Sequence, residues 1–302
     1  MYRIFMVLFL LPVLFCQQSE PDVAIPALKL IKAYPVEGPP NIQPSGLTIW
    51  QNTLFTVSDK HDDTIFQIIL KADKAYLVPH ITFTPPQNNS FRKLDFEGIT
   101  CDEKGNFYIA SEMAIRILKV SSNGKSVQWI TPGLRPFGEK VGLFQRRNAY
   151  IEGLTYTKNG KFILCAEREP RGIIEVDTST DPVSVFAYKM DQTKFRMKEN
   201  VGVDFTGLDY FQHELYALGR NSFTICTLKF DGTTYRETKG WSFRSTELAD
   251  SNKYSDMKYG RAEGLAVDKD HFYVILDNNN DPKTNDPNDR RPLLFIFERP
   301  KS

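Results

Sequence analysis

Five short segments of this chain repeat one pattern, and that repetition limits the fold more than any other feature. They are Ser45-Gly46-Leu47, Glu97-Gly98-Ile99, Glu152-Gly153-Leu154, Thr206-Gly207-Leu208 and Glu263-Gly264-Leu265, with glycines 52, 55, 54 and 57 residues apart. Each opens a short strand, and a turn follows, as at Lys104-Gly105-Asn106 and Lys158-Asn159-Gly160. A second apolar strand comes next, such as Phe107-Tyr108-Ile109-Ala110 or Phe272-Tyr273-Val274-Ile275. A third strand appears in every unit, and four units offer a fourth. Strands of this length without helical periodicity specify an all-β domain. Four strands in a repeat of about 50 residues are the dimensions of a β-propeller blade. The expectation is therefore a propeller of about five four-stranded blades. Six is the alternative, because the divergent stretch from Lys189 to Val203 has room for another unit. The last unit stops after three strands at Arg299-Pro300, and Ala27 to Val36 forms a spare strand before the first repeat. Lending that N-terminal strand to the last blade closes the ring and removes an open edge.

The chain begins with Met1-Tyr2-Arg3, and an apolar run from Ile4 to Phe15 follows. That run is too short to span a bilayer and has the form of a secretory signal. Residues 1–16 are expected to be the signal sequence, 17–26 a linker and 27–300 a single propeller domain. Cys16 stands where a bacterial lipoprotein carries its lipid, although Val13-Leu14-Phe15 lacks the small residue expected before it. The protein is thus expected to be exported, as a periplasmic, outer-membrane-anchored or secreted protein. Any membrane attachment comes only through a Cys16 lipid. The net charge of +1 and the absence of a basic stripe give no footing for nucleic acid. Cys101, Cys165 and Cys226 lie in apolar strands without Cys-x-x-Cys spacing, which favours small buried hydrophobes over zinc ligands. A monomer is expected.

In a blade the start of the inner strand and the end of the second strand lie at the same face. The first set is Ser45, Glu97, Glu152, Thr206 and Glu263, and the second is Asp59, Glu112, Glu167, Arg220 and Asp277. Seven of these ten are carboxylates, and all ten should rim one mouth of the central channel. Two unit charges 4 Å apart interact by about 4 kcal/mol at an effective dielectric of 20, so compensation is required. All-oxygen donors suit a hard divalent cation, with Ca²⁺ ahead of Mg²⁺. The alternatives are neutralisation by Arg220, Arg168, Arg171, Arg261, Arg92 and Arg146-Arg147, or loop acids that face solvent. A cation together with arginines makes a site for a small anionic molecule or ester. The Asn/Asp-rich stretch from Asp277 to Arg291 lacks the register of a calcium loop and reads as a solvated turn. There is no Gly-x-Ser-x-Gly elbow, His-Glu-x-x-His or phosphate loop.

The segment Arg147-Asn148-Ala149-Tyr150-Ile151-Glu152-Gly153-Leu154, the turn at Asn159-Gly160-Lys161 and the strand ending Ala166-Glu167 resemble the central motif of the phytase-like family. That family is described by its esterase-like activity of phytase. The units are also similar to SdiA-regulated propellers, and more distantly to the senescence-marker/gluconolactonase group. Tyr150-Ile151 departs from the usual Gly-aromatic pair, and Ser45 and Thr206 replace the Glu in blades one and four. The resemblance implies ester or phosphoester hydrolysis. It makes Glu97, Glu152 and Glu263 metal ligands, and Glu112 and Glu167 acid/base or supporting groups. Arg147, Arg168 and Arg220, with Asp59 and Asp277, are then substrate contacts. The rival expectation is a non-catalytic propeller that binds a ligand or protein and uses calcium for structure, since one fold hosts many functions.

Overall fold

The computed structural model describes residues 25–86 and 93–301. The expected signal, Cys16, most of the linker and Arg92 lie outside those residues. The first strand is β1 (Leu30–Glu37). Blade one holds β2 (Pro44–Trp50), β3 (Thr53–Ser58), β4 (His61–Lys71) and β5 (Lys74–Thr82). Blade two holds β6 (Phe96–Cys101), β7 (Phe107–Ser111), β8 (Arg116–Val120) and β9 (Val127–Trp129), and is followed by helix α1 (Arg135–Lys140). Blade three holds β10 (Ile151–Lys158), β11 (Lys161–Ala166), β12 (Arg171–Asp177) and β13 (Ser184–Met190). Blade four holds β14 (Gly207–Phe211), β15 (Glu214–Gly219), β16 (Thr224–Phe230) and β17 (Tyr235–Ser242), and is followed by α2 (Arg244–Glu247). Blade five has β18 (Ala262–Val267), β19 (His271–Leu276) and β20 (Leu293–Glu298) from the C-terminal side of the chain.

The fourth strand of blade five is β1, antiparallel to β20 with Ala33 opposite Phe295. The end of β1 also pairs in parallel with β5, Val36 opposite Ala75, which joins blades five and one into one eight-stranded sheet. Just before β1, Leu28 donates its N–H to the Ser242 carbonyl at 2.7 Å, at the end of blade four. The N-terminal segment thus stitches three blades together. The propeller has five blades. Lys189 to Val203 forms the end of β13 and a connection, and adds no sixth blade. The two short helices occupy the connections after blades two and four.

The apolar core is divided into five wedges, each between neighbouring blades. Phe55, Phe96 and Phe107 pack between blades one and two, and Tyr108, Leu154 and Phe162 between two and three. Phe205, Leu215 and Ile173 fill the next wedge, then Phe223, Phe272 and Phe295, and finally Leu47, Phe66 and Leu294. Period-two alternation supplies both sides of every blade, which is why the strands are buried on two faces. Cys165 and Cys226 are buried and Cys101 partly so; all three are free thiols.

The repeated glycines explain the tight ring. A Cβ on Gly46 would lie 2.5 Å from the Glu97 carbonyl oxygen, and one on Gly98 2.3 Å from that of Glu152. On Gly153 it would meet the Leu208 nitrogen at 2.5 Å, on Gly207 the Leu265 nitrogen at 2.9 Å, and on Gly264 the Ser45 carbonyl at 2.3 Å. Each inner strand therefore touches the backbone of the next, all the way around, and backbone cannot yield as a side chain can. Gly98→Ala is expected to lower the melting temperature by about 10 °C or more, or to prevent folding, as overpacking of several kcal/mol would. Gly133→Ala, where nothing lies within 4 Å, serves as the neutral control. Equal melting of the two variants would refute this account of the axis.

Candidate functional site

The inner strands deliver the acids through a local irregularity. In blade two Phe96 pairs with Ser111 and Gly98 with Ala110, so Glu97 is an extra residue with no partner. The register shifts in the same way between Ala262 and Gly264, between Ile151 and Leu154, and between Pro44 and Leu47. A β-bulge bends its strand and re-aims a side chain. Here it turns Glu97, Glu152 and Glu263 toward the mouth, while the following Gly-Leu or Gly-Ile pairs line the narrow axis. Blade four pairs in regular register from Gly207 onward, and its Thr206 hydroxyl donates to the Ala262 carbonyl at 2.8 Å.

Glu112, Glu167, Arg220, Asp59 and Asp277 sit just past the ends of β7, β11, β15, β3 and β19, at the same mouth. One ligand oxygen each of Glu112, Glu152 and Glu167 lies within 4.8 Å of the others, and all three residues are buried. A second group, Asp59, Asp95 and Glu97, meets the same limit. The two groups and Glu263 act on one another. Burial, followed by the charges of Asp59, Glu112, Asp95 and Glu263, holds Glu97 well above the usual carboxylate range. Burial and then Glu97, Glu263 and Glu112 do the same to Glu152. The three glutamates therefore face a common opening.

Two arginines compensate part of this charge. Arg220 donates from Nη1 to Glu263 at 2.5 Å, from Nη2 to Glu167 at 2.5 Å and from Nε to Asp204 at 3.0 Å. Arg168 pairs with the same Glu167 oxygen, and the Tyr259 ring lies 5.8 Å from its guanidinium and 6.0 Å from that of Arg220. The remaining arginines serve elsewhere. Arg171 is buried against Glu237, Arg261 binds Asp281 at 2.6 Å, and Arg146 binds Glu169 at 2.5 Å. Arg147 is exposed on the loop before β10, outside the knot of ion pairs.

In the opposite part of the ring the cations among the described residues are lysines. Lys93 binds Asp95 at 2.6 Å, and Lys60 pairs with Asp59. Glu97 and Glu152 have no hydrogen bond or ion pair among the described residues, and the buried Oε2 of Glu263 and Oδ1 of Asp59 also lack a partner. Glu112 accepts the Tyr150 N–H at 3.0 Å, and burial raises its pKa against that bond. Asp277 is pushed up to about 7, chiefly by burial. Clustered oxygen donors with orphaned buried atoms fit a hard divalent cation, which would offset the burial and, after it, the repulsion that raise these values. The Asp277–Arg291 loop is held internally: Asn278 is fully buried and donates to the carbonyls of Asp281 and Arg290.

Sequence reasoning missed Asp95, Asp204 and Tyr259. The first two stand three residues before a repeat glycine, in Asp95-Phe96-Glu97-Gly98 and Asp204-Phe205-Thr206-Gly207. That shared Asp-Phe-x-Gly spacing was the available signal. Asp95 is fixed with φ 57°, and its N–H and that of Leu94 both donate to Asp62, at 3.1 and 2.6 Å. Clefts of about 420 and 480 Å³ open between outer strands at the face of the β-hairpin turns, away from the acid mouth.

A five-bladed propeller with bulge-mounted glutamates at one mouth is the class that this fold and site define. The family model described as "Phytase-like: Esterase-like activity of phytase" matches residues 43–280, and the chain belongs to that family. No curated protein sequence matches it. Among solved structures, glutaminyl cyclase from Myxococcus xanthus shares the fold at 14% identity and a TM-score of 0.53, over 91% of this chain and all of that one. A PQQ-bound aldose sugar dehydrogenase from Streptomyces coelicolor aligns at 12% identity and a TM-score of 0.44, over 91% of this chain and all of the other.

Two predictions follow from the charge balance. Carboxyls whose folded pKa is raised bind more protons in the folded than in the unfolded protein, so stability falls as pH rises through that interval. With ordinary values near 4 and Asp277 at about 7, the interval is pH 4–7. Chelator-treated protein should therefore melt at least about 5 °C higher at pH 5 than at pH 8; a flat or opposite profile would contradict the site's electrostatics. Arg220→Met strands Glu167, Asp204 and Glu263 without their shared cation. It should cost about 3–5 kcal/mol in denaturant titrations at pH 8, and less at pH 5.

Proposed function

We propose that the protein is an exported, monomeric hydrolase that cleaves a phosphate or carboxylic ester at the acid-ringed mouth with a divalent cation, calcium ahead of magnesium. The observation that carries this reading is the presence of two glutamates, Glu97 and Glu152, crowded by other carboxylates and with no hydrogen bond or ion pair among the described residues. Stability alone would not retain such groups, and strongly perturbed carboxyls in a cleft mark functional sites. The family to which the chain belongs supports the choice of esters and phosphoesters. Export rests on the apolar run from Ile4 to Phe15, and a lipid on Cys16 would tether the protein to a membrane.

A divalent cation, when bound, supplies Lewis acidity at the scissile group. The chain's own residues divide the remaining work. Glu112, raised by burial, is a supporting group, and Glu97, held well above the ordinary carboxylate range by burial and bonded to no cationic side chain among the described residues, suits a carboxyl that must hold and release a proton. Glu167 was assigned that role by resemblance, but two arginines engage it, so it is better suited to holding charge in place. Arg168 and Arg147 bind the substrate anion. Arg220 is spent on three carboxylates and positions the ring without contacting substrate. Asp59 and Asp277 flank the opening.

Purified protein tested on p-nitrophenyl esters and phosphates should turn over with Ca²⁺ or Mg²⁺ and stop with EDTA. Glu97→Gln should cost about 100-fold or more in kcat, the scale of a lost proton-transfer group. If no substrate shows divalent-stimulated turnover, the hydrolase reading fails. A melting temperature still lowered by EDTA would then identify a binding propeller with a structural cation.

A further inference from the structure

Resting on the proposed cation-dependent reading of this mouth, we infer that the cation occupies Glu112, Glu152 and Glu167 on the wall between blades two and three, and that its arrival displaces Arg168 from Glu167 to create the anion-binding group. Cation and anion then bind with positive coupling, and Arg168 is the element that couples them.

Four observations carry this. The ligand oxygens of Glu112, Glu152 and Glu167 already lie within 4.8 Å of one another, close enough for one ion to bridge them. Glu152 is only 8% exposed, yet neither of its oxygens has a hydrogen bond or ion pair among the described residues. In the rival group two of the three members pair with a cation, Asp95 with Lys93 and Asp59 with Lys60, whereas here only Glu167 does among the described residues. The third ligand, Glu167, has both arginines on one oxygen, and Arg220 is shared with Asp204 and Glu263.

The two arginines differ in how they are held. Arg220 keeps Glu263 and Asp204 if Glu167 turns to a cation. Among the described residues Arg168 keeps a 3.5 Å contact to the Asn148 carbonyl and the distant face of Tyr259, and its buried Nε has no hydrogen-bond partner there. A cation on Glu167 takes the carboxylate that Arg168 pairs with and adds like charge beside it. A freed guanidinium at the rim, 16% exposed, meets a phosphoryl or carboxylate oxygen with its bidentate donors. Glu97 belongs to the other group, with Asp59 and Asp95, and stays outside this ligand set. The ligand set differs from the one that the resemblance implied: Glu152 stays, while Glu112 and Glu167 replace Glu97 and Glu263.

Isothermal titration of chelator-stripped protein with CaCl₂, alone and with methylphosphonate as a non-hydrolysable anion, tests this. Methylphosphonate should tighten Ca²⁺ binding by about 5-fold or more, and Ca²⁺ should tighten methylphosphonate by the same factor. Arg168→Met should bind Ca²⁺ as tightly as the parent or tighter, because a competing cation is gone, and should lose the coupling. Glu152→Gln and Glu112→Gln should each weaken Ca²⁺ binding at least about 10-fold, with melting curves confirming that they fold. Glu97→Gln should still bind Ca²⁺. If Glu97→Gln loses the ion and Glu152→Gln keeps it, the proposed site is wrong while a cation-dependent hydrolase survives. If Arg168→Met weakens Ca²⁺ or retains the coupling, the displacement is wrong. Coupling as described in a protein without turnover would refute the hydrolase reading and leave this inference standing.

Discussion

Five glycines that touch the backbone of the next blade hold this molecule to its shape. Each contact is between one inner strand and the peptide of its neighbour, and the last, Gly264 against Ser45, closes the circle. A side chain at any of these points would push two blades apart and open the ring, so blade number, channel width and the placement of the mouth have one origin. The five apolar wedges supply most of the burial energy, but wedges alone would tolerate another radius. The close approach at the axis is what sets it.

The same geometry creates the electrostatic problem. Bulges next to the glycines throw Glu97, Glu152 and Glu263 toward one opening, and the ends of the second strands add Glu112, Glu167, Asp59 and Asp277. A rotationally repeated scaffold tends to repeat its charges. Blade four breaks the repetition, with Thr206 where a glutamate would stand and Arg220 where a carboxylate would stand. Arg220 then reaches sideways to Glu167, Asp204 and Glu263 and ties blades three, four and five together. Buried ion pairs are weak evidence for net stability, because desolvation offsets much of the attraction. Their effect here is to fix which acids are neutralised and which are not.

The ring was legible in the sequence because repetition needs no knowledge of contacts. Spacing near 54 residues, breaker-rich turns and a C-terminal unit lacking one strand were enough to place β1 beside β20. What the spacing could not show is which acids lose their charge partners. Glu263 and Glu152 occupy equivalent positions, yet Arg220 bonds to the first and not to the second, a difference of side-chain reach across blades. Arg171 and Arg261 lie as close in sequence to the ring as Arg168, but both turn away, to Glu237 and to Asp281. Asp95 and Asp204 were within reach of sequence reasoning, had the comparison of blades been carried three residues upstream of each glycine. Tyr259 was not, since its place beside Arg168 and Arg220 depends on how the loop before β18 folds over the mouth.

Asymmetry is therefore the informative property of this site. A mouth ringed evenly by acids and bases would have little preference for any ligand. This one has arginines on the side of blades three and four, and on the side of blades two and three glutamates without an ion pair among the described residues. A substrate that bears an anionic group beside an electrophilic centre matches that polarity: its charge faces the guanidiniums, and its reacting atom lies over the carboxylates. The axis is narrowed by the repeat Gly-Leu and Gly-Ile pairs, so a ligand of this mouth enters and leaves by the same face, and the loops there, 133–148 and 244–259 above all, are where its selection has to be built.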